Sequence, residues 1–315
     1  RAAERRGCLD GAPAETVLRS VAASEGIDFA TALLYQHVVG SLAHGPLISQ
    51  INALRERPDS HQGQVDALLA VAPGAFYHEY PHSGADGRLL RDEAARLGFD
   101  CHVIPCGSMA GVEANAERIC DWLRSRQESR IVLASISKGS ADIKMALARP
   151  DAPEVFRNVV AWISLCGILD GSPMVEWLLA SRPRELAYRA LFWWRGLRFD
   201  VFSDLRRRDG STLAFPLTLP MHIRLLHVAG FPLRAHLSNA LARRCHAHCE
   251  ALGPNDGAVL LTDLLRLPGR IYPVWGADHY LRPSWELRSL AQALLRYLAD
   301  ELLLWQSTAA STEAR

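Results

Sequence analysis

The sequence predicts an α/β fold: a mainly parallel sheet of about six strands with helices on both faces, a helical insertion, and a helical N-terminal segment. Three observations carry this. From residue 65 onward, short apolar runs alternate with helix-patterned stretches. The runs are apolar nearly throughout, as strands buried on both faces are. The stretches between them are long enough for the crossovers that parallel neighbours require.

Residues 13–56 read as helical, because apolar side chains recur there at three- and four-residue spacing. The first strand is expected in V-D-A-L-L-A-V-A-P-G (65–74), ended by Pro73-Gly74. A helix-like G-R-L-L-R-D-E-A-A-R-L leads to F-D-C-H-V-I-P (99–105). G-V-E-A-N-A-E-R-I-C-D-W-L-R-S-R leads to R-I-V-L-A-S-I-S (130–137). Three more runs follow at 159–169, 222–230 and 269–276, and a helix over about 284–305 closes the chain. Two separations exceed a simple crossover. Residues 170–221 hold Trp177, Trp193, Trp194, Phe192 and Phe199 among many arginines, and read as a helical cap over the strand ends. Residues 231–268 hold a helix and then G-P-N-D-G. The expected organisation is a segment 1–60 packed on a domain 61–315, with 170–221 as the cap.

Composition narrows the function classes. Lys+Arg 35 against Asp+Glu 34 gives a net charge of +1, so no global field favours nucleic acid or an anionic membrane. Seven irregularly spaced cysteines fit reduced thiols better than a disulfide framework. No apolar run approaches the roughly 18 residues of a membrane span, and the chain opens R-A-A-E-R-R-G without a signal-peptide core. Cytoplasmic placement is the default expectation. No nucleotide-binding glycine motif follows a strand, so no organic cofactor is expected. C-H-A-H-C-E (245–250) suggests a metal, but Cys245 and Cys249 share one helix face while His246 and His248 point elsewhere, so no metal site is expected there either.

Only Lys138 and Lys144 are lysines. Lys138 lies in S-I-S-K-G (135–139), where a strand ends and a helix begins. A serine at that turn, Ser137, is exposed, and the next N–H, of Lys138, comes from a helix N-terminus. Small residues are needed two positions either side, and Ser135 and Gly139 supply them. The same residues also suit an ordinary connection with a capping serine. The Lys138 side chain can pair with Asp142 at i+4 or reach an anionic substrate group.

This turn and its strand order resemble the α/β-hydrolase superfamily, lipases and esterases included, over roughly residues 65–305. The usual elbow is G-x-S-x-G, so Ser135 is a departure. The resemblance implies a nucleophile, acid and histidine in that order. Ser137 takes the first role. His279, in V-W-G-A-D-H-Y after the last strand, takes the third, with His78 and His82 in Y-H-E-Y-P-H as rivals. Asp256 in G-P-N-D-G-A-V-L-L resembles the acid-bearing loop of several bacterial lipases and esterases. Asp170 and Asp278 are the alternatives. The second oxyanion donor is expected from the N–H of Ala75 or Phe76. Gly74, Tyr77, Trp177 and Trp193 are candidate substrate contacts, and Trp193-Trp194 equally suit plugging the cap against the core. The expected activity is cleavage of an ester or thioester with an apolar acyl or aromatic part and no cofactor. An acyltransferase or cyclase using the same residues, or a silent binding protein, is the alternative.

Overall fold

The computed structural model describes residues 1–9, 14–57, 65–237, 239–282 and 286–313. The six strands are β1 (Leu68–Ala72), β2 (Asp100–Val103), β3 (Ile131–Ile136), β4 (Val159–Leu165), β5 (Arg224–Phe231) and β6 (Arg270–Trp275). They form one sheet in the order β2-β1-β3-β4-β5-β6, and every pairing is parallel. Five lie inside runs read from the sequence, β4 ending at Leu165, four residues short of its run, and β5 passes the end of its run by one residue. β1 is buried along its whole length, as an interior parallel strand must be.

The helices are α1 (Ala2–Arg5), α2 (Ala14–Glu25), α3 (Ile27–Val39), α4 (Gly45–Glu56), α5 (Arg88–Arg96), α6 (Val112–Arg124), α7 (Lys138–Leu147), α8 (Ala152–Val155), α9 (Pro173–Leu179), α10 (Arg182–Trp194), α11 (Val201–Asp204), α12 (Ala240–Cys249) and α13 (Leu287–Glu313). The start of the last helix expected at 284, and the segment boundary at 60/61, lie outside the described residues. Two apolar clusters sandwich the sheet. Leu69, Val71, Val132, Ile163 and Phe231 face Leu18, Leu33, Leu34, Ile51 and Leu294. Leu68, Leu133 and Trp162 face Ile119, Ile143 and Phe156. The N-terminal helices therefore complete one face of the core. Along β1 the alternation of side chains sends Leu68, Ala70 and Ala72 to one cluster and Leu69 and Val71 to the other.

The long interval between β4 and β5 holds α9, α10 and α11. Their own cluster includes Val175, Leu178, Leu179, Phe199 and Leu205, and it joins Val112, Ala141, Ile168 and Val259 of the sheet domain. The insertion is thus anchored beside the N-termini of α6 and α7, at the carboxyl end of the strands, where open α/β sheets carry their sites.

Candidate active site

Ser137 stands between β3 and α7 with φ 49° and ψ −110°. A non-glycine residue at positive φ stores strain of about 1–3 kcal/mol and persists only where its surroundings impose it. Here the imposing contact is visible. A Cβ on Gly139 would lie 2.3 Å from the Ala72 carbonyl oxygen and 2.8 Å from that of Pro73. The helix start and the end of β1 almost touch, so only glycine fits.

Ser135 is the departure from the usual glycine, and the structure explains it. Its hydroxyl accepts the indole N–H of Trp162 at 2.7 Å and bonds Ser140 Oγ at 2.7 Å; Ser140 in turn bonds Ser164 Oγ at 3.0 Å. All four residues are buried. Ser135→Gly would leave the buried indole N–H of Trp162 unsatisfied, so it is expected to cost about 1–3 kcal/mol of stability in urea unfolding while the turn itself survives. An unchanged midpoint would show that the hydroxyl network contributes little.

Ser137 Oγ lies 2.9 Å from His279 Nε2, and His279 Nδ1 lies 2.9 Å from Asp256 Oδ2. The other carboxylate oxygen of Asp256 accepts the N–H groups of Ala258 and Val259, each at 2.9 Å. The His279 N–H donates to the Asp256 carbonyl at 2.9 Å, which fixes the two loops to each other. His279 is buried, and burial works against its charged form. The charge of Asp256, its hydrogen bond and the charge of Asp278 outweigh that and hold the imidazole pKa above the ordinary histidine value.

The alternatives are engaged elsewhere. Asp170 accepts from Lys144 Nζ at 3.0 Å. Asp278 accepts the N–H groups of Tyr280 and Arg282, shaping the loop that carries His279. The ring of His78 packs on Tyr77. His82 lies in a short 3-10 turn.

Of the proposed oxyanion donors, Phe76 sends its N–H to the Ser108 carbonyl at 3.3 Å, and Gly74 sends its own to Ala85 at 2.8 Å. The N–H groups of Ala75 and Lys138 have no partner among the described residues. The geometry therefore favours Ala75 over Phe76. Phe76 instead has φ 62° and turns its ring into the insertion, 5.8 Å from Phe192 and 5.9 Å from Phe202.

The candidate substrate contacts fare unevenly. The Tyr77 hydroxyl donates to the Cys106 carbonyl at 2.7 Å, and its ring lines a cleft with Val103 and Pro105. Trp177 stacks on His248 at 3.8 Å and carries Arg184 over its face. Trp193 is 81% exposed and Trp194 75%, so neither plugs the insertion against the core. Gly74 leaves room for Ile136 and Ala85, whose atoms a Cβ would meet at 3.2 and 3.3 Å. The Lys138 side chain takes the first of its two expected roles: its ammonium lies 2.6 and 2.9 Å from the two oxygens of Asp142.

One residue of the site was not anticipated. Cys166, directly after β4, is buried with φ 46°, and its sulfur lies within 4.8 Å of ligand atoms of Asp256 and His279. Burial pushes this thiol well up, with the Asp256 charge adding to it, so it stays protonated beside the carboxylate. The sequence marked it only as the end of an apolar run. In the 245–250 stretch His246 Nδ1 bonds Glu250, and His248 makes the Trp177 stack.

No protein-family model matches the chain, and no curated protein matches its sequence. Solved structures do match. A metagenomic carboxyl esterase is 19% identical over 92% of this chain and 92% of its own, with a TM-score of 0.54. The propeptide form of a Bacillus licheniformis lipase is 18% identical over 79% of this chain and 51% of its own, with a TM-score of 0.51. The chain has the α/β-hydrolase fold.

Proposed function

We propose that the protein is a serine hydrolase acting on esters or thioesters of small molecules. The observation that carries this is the unbroken run of 2.9 Å contacts from a strained Ser137 through His279 to a buried Asp256. Ser137 Oγ attacks the carbonyl carbon while His279 Nε2 takes its proton. Asp256 holds Nδ1–H and stabilises the imidazolium. The oxyanion accepts the N–H groups of Lys138 and Ala75, the first of them at the positive end of α7. Collapse of the intermediate expels the alcohol or thiol with the proton from His279, and water then releases the acid by the same steps. The similarity to a carboxyl esterase agrees with this reading.

In this proposal residues 170–221 form the cap. Phe76, Phe192, Phe199 and Phe202 pack ring against ring, with neighbouring centroids 5.3 to 5.9 Å apart, at the turn that presents Ala75. An apolar wall beside the reacting carbonyl favours an apolar acyl or aromatic group.

The test is intact mass after incubation with a fluorophosphonate. The wild type is expected to gain one adduct and Ser137→Ala none. A folded wild type that gains no adduct, with a probe small enough to pass the cap, would overturn the proposal.

A further inference from the structure

We propose that α10 docks the protein on an anionic lipid bilayer surface. An ordinary surface helix buries one apolar stripe and shows a polar face to water. α10 does not. Its inner side places Tyr188 and Phe192 on the apolar cluster of the insertion, with Phe192 against Phe76. Its outer side carries a second apolar stripe. Leu186 is 66% exposed, Trp193 81% and Trp194 75%, and Pro183, Ala187 and Ala190 lie exposed between them. At 100° per residue these six positions span about 120° of the helix.

The stripe holds no charge, but its edges and the turn after it do. Residues 182–198 contain five arginines against one glutamate, in a chain of net charge +1. Glu185 faces away from the stripe and pairs with Arg189 at 2.9 Å. Arg182, Arg195 and Arg198 are exposed and make no ion pair among the described residues. Two adjacent exposed tryptophans are costly in water and suited to the headgroup boundary, where the ring is buried and the indole N–H stays wet. Flanking arginines add attraction to anionic headgroups. The same arginines argue against a second copy as the occupant, since two such stripes face to face would bring like charges together. A helix lying in the interface needs neither the length nor the hydropathy of a spanning one, and no described helix is long and apolar enough to span.

The test needs no catalysis, so it stands or falls apart from the proposed hydrolase activity. The full chain is mixed with sucrose-loaded vesicles of phosphatidylcholine, with or without phosphatidylglycerol, and sedimented. Binding is expected to the phosphatidylglycerol vesicles and to weaken with salt. The Trp193→Ser/Trp194→Ser variant, altered only at exposed positions, is expected to bind at least about tenfold more weakly at an unchanged melting temperature. Arg182→Gln/Arg195→Gln/Arg198→Gln is expected to lose about a hundredfold, from the usual contribution of each basic residue near an anionic surface. Sedimentation with neither vesicle, binding untouched by the tryptophan variant, or a wild-type dimer that this variant abolishes would each overturn the proposal. The last would assign the stripe to self-association.

Discussion

Asp256→Asn is expected to slow acylation of Ser137 by about three to four orders of magnitude while leaving the fold intact. Asp256 receives Nδ1–H of His279 at 2.9 Å, so Nε2 is left as the acceptor facing Ser137. An asparagine that keeps the Ala258 and Val259 bonds through its oxygen turns its amide N–H toward Nδ1. That favours the tautomer with the proton on Nε2, which cannot accept one from serine. The pH profile should move as well. Burial alone disfavours the imidazolium, and Asp256 reverses this by charge and hydrogen bond. On the proposed mechanism the free base of the wild type is lost as pH falls through a value raised above the ordinary histidine one, and labelling is expected to decline there. Without the carboxylate, burial dominates and the acid limb shifts to lower pH. Labelling rate against pH measures both effects. A variant within tenfold of wild type, with an unmoved limb, would remove Asp256 from the proposed role.

The fold was legible because its strands are buried on both faces, which makes 130–137 and 159–169 continuous apolar runs rather than alternating ones. The turn at Ser137 was legible for a related reason. The approach of Gly139 to Ala72 and Pro73 restricts residue size, and that restriction is written locally. Asp256 and His279 were placed by loop position and superfamily order, and the structure brings them together. What could not be read were contacts between distant segments. Nothing near Ser135 announces the indole of Trp162, twenty-seven positions on. The ring of Phe76 meets Phe192 and Phe202 across more than a hundred positions, so an oxyanion candidate was also an insertion contact. Trp193 and Trp194 sit in an apolar-rich segment, and only the orientation of α10 shows that they face outward.

The second large effect concerns Lys138 and Asp142. Both are 1% exposed, and Asp142 is the partner of the ammonium among the described residues. Asp142→Leu leaves that charge buried and alone, which is expected to cost about 3–5 kcal/mol in urea unfolding. Lys138→Met with Asp142→Leu should recover most of this, because a buried ion pair repays its desolvation poorly. The carboxyl itself carries the sign of that cost. Burial, against the pull of Lys138 and the bonds from Lys138 and Asn115, pushes it up to about 6. Above the ordinary carboxyl range the unfolded chain has released this proton while the folded protein still holds it. The group's contribution to stability is therefore full below that range and is lost as pH rises through about 6.

The retention of such a pair at the turn has a geometric rationale. Asn115 Nδ2 donates to Asp142 at 2.9 Å and to the Gly107 carbonyl at 3.1 Å, while its oxygen accepts the Gly107 N–H at 2.8 Å. The loop so held supplies the Ser108 carbonyl that binds Phe76 N–H and the Cys106 carbonyl that binds the Tyr77 hydroxyl. A polar chain thus runs from Lys138, one proposed oxyanion donor, to the residue beside Ala75, the other. The double variant keeps both N–H groups and regains its stability, yet loses the link between them. Its labelling rate is expected to remain at least about tenfold below wild type, since misplacing one oxyanion donor is far costlier than that when complete. A double variant restored in both stability and rate would reduce the pair to packing. One restored in stability alone would make it a device that sets the distance between two donors.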